Sequence, residues 1–110
     1  YVENALHAND LALFTDDRAA LNQVYNVACG EQADLNDMVD MLRQITGKNI
    51  QPEYGPERPG DVKHSKADIS KIKRCLGYTP QVRMLEGMRR VYQYYHRQLA
   101  AEPEYTANNQ

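Results

Sequence analysis

Cysteine is scarce in this chain. The two present, Cys29 and Cys75, lie far apart, with no CxxC pair and no histidine at zinc-ligand spacing. No dedicated metal site is expected, and the cysteines read as two reduced core thiols. The three histidines, His7, His64 and His96, are equally scattered. An excess of positive charge is also missing. Thirteen Lys+Arg stand against fifteen Asp+Glu, a formal net charge of −2, which argues against nucleic acid as a partner. Long hydrophobic runs are absent too. None approaches the ~20 apolar residues that span a bilayer, so no membrane partner is expected. The opening YVENALHAND has neither the basic nor the apolar region of a secretory leader, which points to a cytoplasmic protein. The chain begins at Tyr1 rather than Met and reads as a piece of something longer.

The common catalytic signatures are missing as well. There is no GxGxxG or GxxxxGK phosphate loop and no GxSxG nucleophile elbow. Eight tyrosines occur, but none has Lys four positions later. His64 and Ser65 are adjacent, so in an extended segment they face opposite ways and are not a ready-made base and nucleophile. Tyr92, Tyr94 and Tyr95 fall on an expected helix, where they read as packing residues.

What is present is an ordinary globular balance, 42% hydrophobic and 25% charged over 110 residues, the size of one small domain. Residues 2–14 read as a helix with Val2, Ala5, Leu6, Ala12 and Leu13 near one stripe. A polar connection, 15–23, leads to VYNVACG (24–30). That run is β-rich and apolar on both sides, as a buried strand is. Residues 35–46 give the clearest helix, with Leu35, Met38, Val39, Leu42 and Ile45 on one face, Asp34 as N-cap and Gly47 as the left-handed stop. A short helix over 69–76 is capped by Asp68 and ended by Gly77, with Ile69, Ile72 and Leu76 turned inward. A last helix, about 83–100, carries Leu85, Met88, Val91, Tyr92, Tyr95 and Leu99, and residues 101–110 read as a frayed tail. Helices and two or three short strands thus alternate, an α/β pattern. Its strands are too few to make a sheet alone. Some apolar faces must pack on something else, either a larger α/β protein or a second copy of the chain.

Between the second and third helices lies QPEYGPERPGDVKHSKA (51–67), with three of the five prolines and two of the six glycines. This density excludes a helix and predicts an ordered, turning loop, in which QPEY and DVKHS are candidate brief strands. Stiff loops of this kind often hold ligands. Arg58 and Asp61 flank Pro-Gly, a pair that favours a tight turn. A guanidinium presents a planar fork of donors that matches two phosphate oxygens. An ionised carboxylate accepts hydrogen bonds from two neighbouring hydroxyls. Together they suit a nucleoside diphosphate with its ribose. The spacing is equally compatible with two solvated side chains, or with a pair closed across the turn.

YVENALHAN, VYNVACGE and GPERPGDVKHSKADISKIKRCLGYTP, in that order, resemble the extended short-chain dehydrogenase/reductases, and within them the bacterial UDP-N-acetylglucosamine 4-epimerases and related UDP-sugar 4-epimerases. The resemblance covers roughly residues 1–98, and RPGDVKHS…ADISKIKRCLGY is its most specific stretch. It implies the C-terminal segment of a Rossmann-type enzyme. Residues 1–30 would supply a late helix and strand of the dinucleotide-binding domain, 31–100 most of the substrate-binding lobe, and 101–110 a flexible tail. It further implies an NAD-dependent 4-epimerase of UDP-GlcNAc/UDP-GalNAc that supplies sugars for surface polysaccharide. NAD and the acid/base residues would belong to a part upstream of this chain, so the chain by itself is expected to be inactive. By resemblance Arg58 contacts the diphosphate, Asp61 holds the ribose hydroxyls, and Ser65 lines the pocket near the sugar C2 substituent. A UDP-sugar is the implied ligand, and self-association, as a homodimer or otherwise, is the expected assembly. The rival readings are another nucleotide-sugar enzyme of the same family (a dehydratase, decarboxylase or other epimerase) and a non-catalytic helical interaction module.

Overall fold

The structure, a computed structural model, describes residues 1–61 and 66–101. Four α-helices follow one another: α1 (Val2–Phe14), α2 (Leu35–Thr46), α3 (Ser70–Leu76) and α4 (Met84–Ala101), with a 3₁₀ turn at Arg18–Ala20. The radius of gyration is 18.4 Å, against about 13 Å for a compact domain of this length. The described residues are therefore spread out, with a small core at one end.

That core joins α1, the 3₁₀ turn and α3. Ala8, Ala20, Ile69, Ile72, Leu76 and Tyr78 are buried together. Ile69, Ile72 and Leu76 take the inward positions expected of them. The helix starts one residue later than expected, at Ser70, and Asp68 still serves its first turn: its carboxylate accepts from both the Ser70 amide (2.8 Å) and the Ser70 hydroxyl. Gly77 ends it in the left-handed region. The second unit is α2 lying on α4. Asp34 and Asp37 form a reciprocal capping box at the start of α2, and Gly47 (φ 67°) closes its end, as the sequence indicates. None of the residues of α2 is fully buried.

Two expectations are corrected. The stripe assigned to α1 faces away from the core: Val2, Leu6 and Leu13 are all more than half exposed, while Asn4 and Ala8 are the buried positions. Asn4, Ala8 and Leu11 recur at i, i+4 and i+7, so they share the opposite face. The rotation is set by Asn4. Its side-chain amide donates to the Val82 carbonyl (2.7 Å) and its oxygen accepts from the Gln81 and Val82 amides (2.8 and 2.9 Å). A buried amide must satisfy its polar atoms, and the small Ala8 lets the helix settle close to the core.

The second correction concerns 24–30, which forms no strand; no strand occurs among the described residues. A strand requires a neighbour to complete its ladder, and this segment has none here. It is tied by side chains instead. Tyr25 donates to the Ala20 carbonyl (2.6 Å), Tyr78 to Ala28 (2.7 Å) and Lys71 to Val24 (2.9 Å). Val24 is 85% exposed. Gly30 (φ 69°) sits so close that an added Cβ would lie 3.0 Å from Ile69 Cδ1. QPEY is likewise irregular, as is Asp61 at the start of DVKHS; the rest of DVKHS (62–65) and the tail 102–110 lie outside the described residues.

The helix α4 begins under a carboxylate from far away in sequence. Glu31 accepts from the Met84 amide (2.8 Å) and from Arg83 Nε (2.7 Å). Of the expected stripe, Leu85, Met88 and Tyr92 are half-buried, while Val91, Tyr95 and Leu99 are exposed. Cys29 and Cys75 are free thiols, half-buried rather than fully in the core.

Candidate functional site

The Arg58–Asp61 segment folds as its composition indicates. The Asp61 amide donates to the Arg58 carbonyl (3.3 Å) across Pro59 and Gly60, and Gly60 has φ 86°. Pro at the second position and a positive-φ residue at the third define a type II turn. A side chain at position 60 would be strained by that φ alone, since nothing lies within 4 Å of where its Cβ would sit. The turn sets Arg58 and Asp61 at its two ends, both exposed to solvent. Among the described residues no ion pair joins them. A fork of donors and a carboxylate acceptor thus stand at the two ends of one exposed turn. Ser65, the third expected site residue, and His64 lie outside the described residues.

The loop that carries this turn leans on α2. Arg43 Nε donates to the Ile50 carbonyl (2.8 Å), and the Tyr54 hydroxyl donates to Asn36 Oδ1 (2.8 Å). Neither link was anticipated from the sequence. The signal available was slight: an arginine in the last turn of α2, and one tyrosine in a loop rich in Pro and Gly.

Two open clefts lie elsewhere. One of about 360 Å³ is lined by Gly30 and residues 66–70 with Lys73, at the C-terminal end of the loop. Asp68, on its wall, has its carboxyl held below the usual range by the Ser70 hydroxyl and amide. The other, about 490 Å³, lies between α2 and the start of α4 and is bounded by Glu31, Met41, Arg83 and Arg89. The Met84 amide, then Arg83, holds the Glu31 carboxyl below its ordinary value. Burial pushes the Tyr78 hydroxyl up, as it does that of Tyr25. Both hydroxyls donate to the backbone, Tyr25 to Ala20 and Tyr78 to Ala28. Among the described residues no three His, Cys, Asp or Glu side chains gather to hold a metal ion, and no helix is long and apolar enough to cross a membrane.

No family model matches the chain. Individual proteins do. It is 31% identical over 85 residues to a UDP-glucose 4-epimerase of Corynebacterium glutamicum, covering 73% of this chain and 26% of that protein. It is 32% identical over 69 residues to a UDP-glucuronate 4-epimerase of Thermodesulfobacterium geofontis, covering 62% and 21%. Among solved structures, the UDP-glucose 4-epimerase of Thermotoga maritima with UDP-glucose superposes with a TM-score of 0.79 at 35% identity, over 90% of this chain and 31% of that one. The UDP-glucuronic acid 4-epimerase of Bacillus cereus, in complex with UDP-glucuronic acid and NAD, gives 0.80 at 31% identity over 89% and 31%. The chain therefore spans about a fifth to a third of the length of these relatives. The α/β class resides in those Rossmann-type relatives rather than in strands formed here. In sequence and in fold together, the chain is homologous to a part of the UDP-sugar 4-epimerases, enzymes of the extended short-chain dehydrogenase/reductase class.

Proposed function

We propose that this chain is the C-terminal, substrate-binding part of an NAD-dependent UDP-sugar 4-epimerase. Residues 1–30 belong with the dinucleotide-binding half and residues 31–100 with the sugar-nucleotide lobe. The packing of α1 on α3 crosses that boundary, so it divides roles rather than separate bodies. The observation that carries the reading is the type II turn at Arg58–Asp61, within a chain that superposes over 90% of its length on an epimerase with UDP-glucose. Arg58 grips the diphosphate through two parallel charge-assisted hydrogen bonds. Asp61 accepts from the two ribose hydroxyls. Neither group touches the sugar carbon that reacts, so both serve binding and orientation.

The chain's own residues do not fit NAD. Its sequence has no Gly-rich dinucleotide loop and no Tyr-xxx-Lys pair. In this proposal the cofactor and the proton-transferring residues belong to other parts of the enzyme, and these 110 residues alone do not epimerise a sugar. The site is tested by titrating the intact polypeptide with UDP. Arg58→Ala should weaken binding about ten- to a hundredfold, the loss of a charge-assisted contact. Lys at that position should restore only part, since a point charge replaces a fork. Unchanged affinity in Arg58→Ala removes Arg58 from the site.

The finer assignment, UDP-GlcNAc/UDP-GalNAc, rests on the resemblance alone, which matches Ser65 to a position near the sugar C2 substituent where a small residue suits an acetamido group. The relatives named above act on UDP-glucose and UDP-glucuronate. The ratio of kcat/KM for UDP-GlcNAc and UDP-glucose therefore decides it. Ser65→Tyr should lower the first about ten- to a hundredfold and spare the second. A ratio that stays put rejects the N-acetyl preference.

A further inference from the structure

The turn that presents Arg58 and Asp61 is exposed, and its loop holds three prolines and two glycines, with no regular secondary structure among its described residues. Its reach toward a ligand depends on what fixes the loop. One side-chain hydrogen bond spans from the loop to the first turn of α2, from the Tyr54 hydroxyl to Asn36 Oδ1 (2.8 Å). Tyr54 lies four residues before Arg58. The residue is 79% exposed, so burial does not explain its position. The anchor beneath it is firm. Asn36 sits two residues inside the Asp34–Asp37 capping box, and α2 lies on α4.

We propose that Tyr54 and Asn36 are a positioning pair that holds the Arg58–Asp61 turn in its binding geometry. This inference rests on the reading of Arg58 and Asp61 as ligands of a UDP-sugar. A loop that wanders must be ordered when the nucleotide arrives, and the affinity falls by the fraction of time the turn is out of place. The hydroxyl shortens that search by tying the loop to a capped helix. Tyr54 itself need not touch the nucleotide.

The test uses the intact polypeptide, UDP as probe and Arg58→Ala as the reference. Tyr54→Phe keeps the ring and removes the donor. It should weaken UDP about three- to tenfold, the size of one neutral hydrogen bond. Asn36→Ala should do the same, and the double variant should be no weaker than either single one. Asn36→Asp keeps an acceptor oxygen and should bind like the wild type. Hydrogen exchange at the Asp61 amide, which closes the turn, should quicken in Tyr54→Phe and Asn36→Ala and not in Asn36→Asp. Both positions are exposed, so folding is not at stake. If Arg58→Ala weakens UDP but Tyr54→Phe binds normally, the pair is rejected and the site stands. Losses that add in the double variant, or an Asn36→Asp as weak as Asn36→Ala, also reject it. If the wild type does not bind UDP, or Arg58→Ala changes nothing, the site reading falls and this inference with it.

Discussion

The end of the molecule built from α1, the 3₁₀ turn and α3 differs in kind from the pair α2–α4. In the first, α1 has the weaker amphipathic pattern, yet here lie the fully buried residues, Ile72 and Tyr78 at 1% exposure. In the second, α2 has the clearest apolar face of the chain and buries none of its residues fully. Periodicity therefore predicts that a helix forms and says little about how deeply it packs. Depth requires a third element. Ile72 is enclosed because α1, α3 and the segment leading to Tyr78 converge on it, whereas among the described residues α2 packs chiefly on α4. The apolar residues left open on α1, Val2, Leu6 and Leu13, lie on the face away from this core.

The largest expected effect sharpens that contrast. Ile72→Ala should cost about 2–5 kcal/mol in chemical denaturation, the range for a buried aliphatic truncation. Leu42→Ala on the half-covered face of α2 should cost about 1 kcal/mol, since much of that side chain already meets water. Equal losses would break the comparison. Next comes Asn4→Ala, which strips three hydrogen bonds from the Gln81–Val82 backbone. About 2–4 kcal/mol should go, because buried partners are left unpaired. A loss below about 0.5 kcal/mol would show that Asn4 does not orient α1.

Asp34→Ala comes third. It removes the capping box of α2 and should cost about 1 kcal/mol. It should speed amide exchange in the first turn of α2 while leaving α3 unchanged, and faster exchange at both would show that the two units are one cooperative body. The smallest effect concerns acid. The Glu31 carboxyl titrates below its ordinary value of 4.5, so the unfolded chain binds its proton more readily than the folded one. Its contribution is complete above about pH 4.5 and is lost as pH falls through the lower folded value. The stability gap between the wild type and Glu31→Gln should therefore narrow on acidification. A gap that widens would contradict the Glu31–Met84 bond.

The helix ends were legible because their signals are local. Asp34, Gly47 and Gly77 act on backbone within a turn of themselves through φ and one or two hydrogen bonds, and all three behave as read. The turn at Arg58–Asp61 was legible for the same reason, since Pro59 fixes its own φ and Gly60 admits the positive φ that the next position needs. What the sequence alone could not decide depends on partners far along the chain. The face of α1 that turns inward is selected by a buried asparagine meeting residues 81 and 82, which outweighs the apolar stripe because an unpaired amide is costlier than an exposed leucine. The run 24–30 has strand composition, but composition cannot provide a neighbouring ladder, and the segment is held by Tyr25, Lys71 and Tyr78. Glu31 over the start of α4 and Tyr54 on α2 are contacts of the same sort. The residues that make turns and caps carry their instruction with them, whereas those that dock one element on another acquire theirs only when the tertiary fold brings the second element within reach.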